Sequence, residues 1–291
     1  MLDLALGSRR LLGALPGPDD LIGGINAFLR GRLDRDNRSN GERFIRGLIV
    51  LVALLPLLHL AGRFLDAFAF AGTAQSILLA VVLSLFIRQR QVWATMLASS
   101  KAYAGTTSDT QFENNRANIR KITFGFSDNF VSNLLIFTIG GFGLLLPYRL
   151  LRLALDTTEE SYIQRPQSPY LSGFWPLAEL AALPGTLLAS LLIAMAHIFV
   201  PGTKMSAIIG MAQKVPQTLF SRLLPLNILA HGLGLSFHTA PGKKAAWIGP
   251  KSGRAKQTAM DVRKTALILV VALLLGILVG FLVLGFLLSP Q

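Results

Sequence analysis

Residues 265–288 read TALILVVALLLGILVGFLVLGFLL, 24 positions with neither a charge nor a proline. A helix needs about 20 such residues to cross the hydrocarbon core of a bilayer, and a helix apolar on every side has no aqueous face to present. Four more uncharged runs lie upstream, at 47–62, 67–87, 129–148 and 180–203, each bounded by ionised residues. An ionised side chain at mid-bilayer costs roughly 2.5–3.5 kcal/mol on insertion scales, so the charges mark the ends of the spans. The stretch 223–242 is also uncharged but holds two prolines, two histidines, Asn227 and three glycines. It reads as a re-entrant or interfacial segment. The expectation is an all-α, polytopic integral membrane protein of one domain, with five spans and that extra segment.

Composition agrees. The chain has 291 residues, 52% hydrophobic and 15% charged, and no cysteine. Thiolate nucleophiles, iron–sulfur ligation and cysteine-bound zinc are therefore excluded. The net charge of +13 would suggest nucleic acid in a soluble chain; here it reads as basic loops beside a bilayer, with no nucleic-acid partner. With five spans, 24 Lys and Arg fall in the segment 1–46 and the loops 88–128 and 204–264, against four (Arg63, Arg149, Arg152, Arg165) on the other side. The positive-inside rule then predicts a cytoplasmic N-terminus with 149–179 on the other side, and a bacterial inner membrane is the expected location.

Local signals refine the boundaries. Ser39-Asn40-Gly41-Glu42 has capping-box spacing and starts the first long helix, in which Pro56 should introduce a kink. Val92, Trp93, Met96 and Leu97 suggest an interfacial helix. Gly276 and Gly280 permit a helix-mediated oligomer, or are ordinary membrane-helix filler. No cleavable signal peptide is legible, because Arg9 and Arg10 interrupt the first apolar stretch.

Chemistry-bearing residues are few. Asp128, after Arg120 and Lys121 at the mouth of the third span, could hold Mg²⁺ or a substrate amine, or could simply open a helix favourably to its dipole. The loop from Trp247 through Gly249, Lys251, Arg254 and Lys256 combines glycines and cations that could hold phosphate, or is a solvated loop drawn to anionic lipid. There is no Walker A sequence. His231 and His238, seven apart, would share a face if their segment were helical, and a metal pair there competes with a purely structural role.

The order of several features resembles the adenosylcobinamide-phosphate synthase (CbiB/CobD) family. They are Leu2-Asp3 with Gly7, a Pro turn, a Gly-containing amphipathic segment at 21–33, a long loop with Asn115-Arg116-Ala117, Gly140-Gly141 before Tyr148-Arg149, and Ala246-Trp247-Ile248-Gly249. The resemblance implies membrane-bound amide formation between a corrinoid acid and aminopropanol or its phosphate, driven by ATP with Mg²⁺. By that analogy Asp128 would be the catalytic and metal-binding acid, with Arg120, Lys121 and the 247–256 loop on substrate or phosphate. It also implies a coding start upstream, since it begins at the exit of a helix that this chain lacks. The family's acidic motifs are largely replaced: Gly105-Thr106-Thr107-Ser108 and Thr123-Phe124-Gly125-Phe126-Ser127-Asp128-Asn129 stand in their places, and one acid survives. The same replacement resembles the AmpE-type regulatory membrane proteins, which implies a non-catalytic alternative.

Overall fold

The computed structural model describes residues 17–69, 72–87, 109–155, 168–214, 222–238 and 247–288. The expected interfacial helix at 92–97 and the first sixteen residues lie outside these. The described chain is helical apart from one two-stranded hairpin. It divides into two compact units, one from 1–90 with 132–185, the other from 91–131 with 186–291.

In the first unit α1 (Pro18–Leu33) precedes α2 (Asn40–Ala69) and α3 (Thr73–Ile87); α5 (Ser132–Leu155), a short 3₁₀ turn (Pro169–Ser172) and the start of α6 (Phe174–Phe199) complete it. α2 begins where the capping signal placed it, and the Glu42 amide donates to Ser39 Oγ at 3.3 Å. It runs on through Pro56 and past Arg63 and Asp66, so those charges do not end the helix. The run at 67–87 is accordingly shared between the end of α2 and the 15-residue α3, which at about 1.5 Å per residue is shorter than a bilayer core. Four helical runs among the described residues are long and apolar enough to cross a membrane, at Asn40–Phe68, Asp109–Leu155, Phe174–Phe199 and Ala259–Gly280. They match four of the five expected spans.

Packing in this unit brings together segments that the charge count assigns to opposite sides. Val50 and Leu51 of α2 share a core with Leu151, Ala154 and Leu155 of α5, whereas His59 and Asp66 meet Phe142 and Gly143. The part of α5 that follows Gly140 and Gly141, both outside the helical region, therefore runs antiparallel to α2, where an unbroken third span would run parallel to the first. Ser168 Oγ donates to Asp34 Oδ2 at 2.6 Å, and Arg149 makes a two-pronged ion pair with Asp19 at 2.9 and 2.6 Å. Segments assigned to opposite faces are thus joined. The physical reason is that Arg149 and Arg152 are buried inside the unit, so they are packing residues and not loop charges that mark a side.

The second unit holds α4 (Asp109–Phe124), a seven-residue π-helical turn (Gly125–Val131), the end of α6, α7 (Met205–Lys214), α8 (Leu224–Leu233), strands β1 (Phe237–His238) and β2 (Trp247–Ile248), and α9 (Ala259–Leu288). The uncharged run at 223–242 forms only the ten-residue α8 before Gly234, at φ 66°, reverses the chain into β1. His231 and His238 consequently share no helix face. Gly276 packs on Leu192, while Gly280 has open space around it.

Candidate functional site

The candidate residues collect in the second unit around α4. One face of α4 holds the end of β1 and the segment that follows β2. Arg116 donates to Gln257 Oε1 at 3.1 Å and to the Ala255 carbonyl at 2.9 Å, Asn115 donates to the Gln257 carbonyl at 2.9 Å, and Arg120 donates to the His238 carbonyl at 3.3 Å. Residues 112, 116 and 120 recur at the helical repeat, so Phe112 joins the same stripe, with the Lys256 ammonium 5.2 Å from its ring centre. Sequence reasoning named Arg120 and Lys256 as site residues; Asn115 and Arg116 entered it only as part of a resemblance, and Gln257 not at all. Their partners lie 139 to 142 residues away, a separation that no local spacing encodes.

The hairpin and the turn after it are also braced from within. Trp247 pairs with His238 across the hairpin, the two rings edge-on at 5.0 Å, and Trp247 is exposed. Gly249 has φ 112°, and the Leu235 carbonyl lies where a side chain would project, so only glycine fits this turn. A phosphate cradle needs convergent backbone N–H groups. Here the Gly253 amide donates to the Pro250 carbonyl at 2.8 Å and the Arg254 amide to the Gly234 carbonyl at 2.9 Å. The Arg254 guanidinium is held by both oxygens of Asp261 at 2.6 Å. Asp261 also accepts from Thr258 N and Oγ1, the carboxylate half of a capping box at the start of α9. Lys251 sits exposed on the turn and Lys121 exposed on α4.

Asp128 is placed differently from either sequence expectation. It lies within the π-helical turn, not at the opening of a helix, and is 2% exposed. Its Oδ2 accepts from Arg222 Nε at 3.0 Å and Nη2 at 2.6 Å, and the guanidinium of this buried arginine lies 5.9 Å from the Phe124 ring centre. A π-helical turn widens the backbone by one residue and re-aims its side chains, and such turns recur at functional sites. In this chain it turns a carboxylate inward onto an arginine 94 residues further along. The only advance signal for Arg222 is its position as the last charge before the uncharged run at 223–242.

This donor set does not fit ATP with Mg²⁺. The one carboxylate named for metal is engaged by a guanidinium, the Gly253 and Arg254 amides of the loop bond other carbonyls, and among the described residues no three His, Asp or Glu side chains form a metal-holding group. Three histidines are turned to backbone carbonyls through Nδ1: His59 to Gly143, His197 to Ile193 and His231 to Asn227.

No family model, no curated protein and no solved structure matches this chain.

Proposed function

We propose that this chain is a multi-pass protein of the bacterial inner membrane on a scaffold resembling the adenosylcobinamide-phosphate synthases, with amide-forming activity weak or absent, acting as a membrane-bound interaction protein in the manner of the AmpE-type regulators. The observation that carries this reading is the burial of Asp128 against Arg222. Amide synthesis from a carboxylic acid requires groups that stabilise phosphoryl charge in the transition state, and losing one such group commonly costs roughly 100-fold to 1,000-fold in rate. A carboxylate neutralised by an internal arginine is not available for that work. The surplus of arginine in 1–46 supports a cytoplasmic placement of the N-terminal end of α2. The ten-residue α8, reversed at Gly234, supports re-entry of 223–242 from one face rather than a crossing.

The test is rescue of a synthase-null bacterium supplied with cobyric acid and aminopropanol. The expected outcome is no growth when membrane expression equals that of an active synthase. Robust growth that Asp128→Asn abolishes at equal expression would overturn the proposal and restore Asp128 to catalysis.

A further inference from the structure

Helix α1 has two faces that the fold uses differently. Asp19, Ile22 and Asn26 are buried, and the Asp19–Arg149 ion pair pins this face to α5. Leu21, Ile25 and Phe28, spaced one helical turn apart, are 56%, 50% and 59% exposed. Arg32 continues that stripe, its guanidinium 4.6 Å over the Phe28 ring, and Arg35 lies exposed just beyond.

The acids nearby are committed elsewhere. Asp20 accepts the Gly17 amide, Asp34 accepts from Arg43, Arg30 and Ser168, and Asp36 pairs with Arg43. Among the described residues, Arg32 and Arg35 face no carboxylate. They stand fifteen and twelve residues before Gly47, where the uncharged part of α2 begins, and α1 ends against the same Asp34 knot that ties down the start of α2. An apolar stripe closed by cations, held at the entry to a membrane-crossing helix, matches a leaflet in both halves of its chemistry: acyl boundary for the stripe, acidic headgroup for the arginines.

We propose that α1 is an interfacial helix whose Leu21, Ile25 and Phe28 lie in the acyl boundary and whose Arg32 and Arg35 bind acidic phospholipid headgroups. The long arginine stem allows the charge to reach the headgroups while its methylenes cover Phe28. This interaction does not depend on whether the second unit has catalytic activity.

The chain has no cysteine of its own, so a nitroxide on Ile25→Cys reports without background in the full chain. In vesicles of phosphatidylglycerol and phosphatidylcholine it should collide more readily with oxygen than with a water-soluble nickel chelate, and a label on Asn37→Cys should show the reverse. Preference for nickel at position 25, or protection from both reagents as a protein partner or second copy would give, overturns the proposal. Native mass spectrometry from mixed micelles tests the headgroup. Phosphatidylglycerol should be retained over phosphatidylcholine, and Arg32→Gln with Arg35→Gln should lower that excess by about 25-fold, about fivefold per arginine. Equal retention of the two lipids by the unaltered chain, or an excess unchanged in the variant, overturns it. Circular dichroism of the variant confirms that the helices persist.

Discussion

Asp128 and Arg222 show how much of a residue's role depends on its partner. A buried pair contributes little net stability, because desolvation offsets attraction, but breaking it strands a charge. Arg222→Gln should therefore cost about 3–5 kcal/mol, while Asp128→Leu combined with Arg222→Met should recover most of that loss. Thermal unfolding of the single and double variants in one detergent measures the difference; additive losses would show that the two groups do not act as a pair. Asp34 behaves differently because it lies outside the spans. Burial pulls its carboxyl pKa upward, but hydrogen bonds from Ser168, Arg43 and Arg30 and the charge of Arg43 outweigh this and hold it below 3.8. The folded state then binds fewer protons than the unfolded state, so this stabilisation is present above the ordinary carboxylate pKa and fades as pH falls below it. Asp34→Asn should be less stable near neutrality and should lose less on going from about pH 5 to pH 3, read as unfolding midpoint against pH for both forms.

At the scale of the element, the decisive feature is the break in α5. Gly140 (φ −147°, ψ 21°) and Gly141 (φ 60°, ψ −154°) leave the helical region, which exposes the amides that begin the second half. Asp66 satisfies two of them, accepting from Phe142 N at 2.9 Å and Gly143 N at 3.1 Å, and His59 Nδ1 donates to the Gly143 carbonyl at 2.8 Å. This explains why an acid sits inside α2, where the sequence suggested the end of a span. A span reading of 129–148 contains the glycine pair but not its consequence, because glycines are common in membrane helices and the capping acid lies 76 residues away. Asp66→Ala should cost about 1–3 kcal/mol for each amide left without an acceptor. Gly141→Ala should also destabilise, through its positive φ and because a Cβ would stand 2.5 Å from Asp66 Oδ1. In the Asp66→Ala background the added cost of Gly141→Ala should shrink, since that clash is gone; strict additivity would argue against the cap.

For the whole molecule, the first unit makes a testable statement about sidedness. Asp34 and Ser168 are hydrogen-bonded, so new cysteines at Asn37 and Ser168 should react with an impermeant reagent from the same side of intact cells. Labelling from opposite sides would restore the arrangement predicted from the charge count and break the antiparallel pairing of α2 with the second half of α5. The charge count departs from this packing for a specific reason. It treats every arginine as a loop residue, yet Arg149 is buried in an ion pair with Asp19 and Arg152 is buried beside it in sequence.

The sequence by itself determined the class of the protein: uncharged runs of spanning length, helix starts such as Ser39 to Glu42, and the lack of cysteine are all local properties. It also determined which residues were worth naming, since the loop before the third span and the Trp247 to Lys256 segment are the places where polar groups gather in an apolar chain. Only the tertiary structure decided what those groups do. It joined Asp128 to Arg222, Asp66 to the broken α5 and Asp34 to Ser168, and it set the second half of α5 antiparallel to α2. Helical periodicity reaches three or four residues along a chain, whereas these pairings span 76 to 134 residues, and an ionised side chain in an apolar setting takes its meaning from the group that neutralises it.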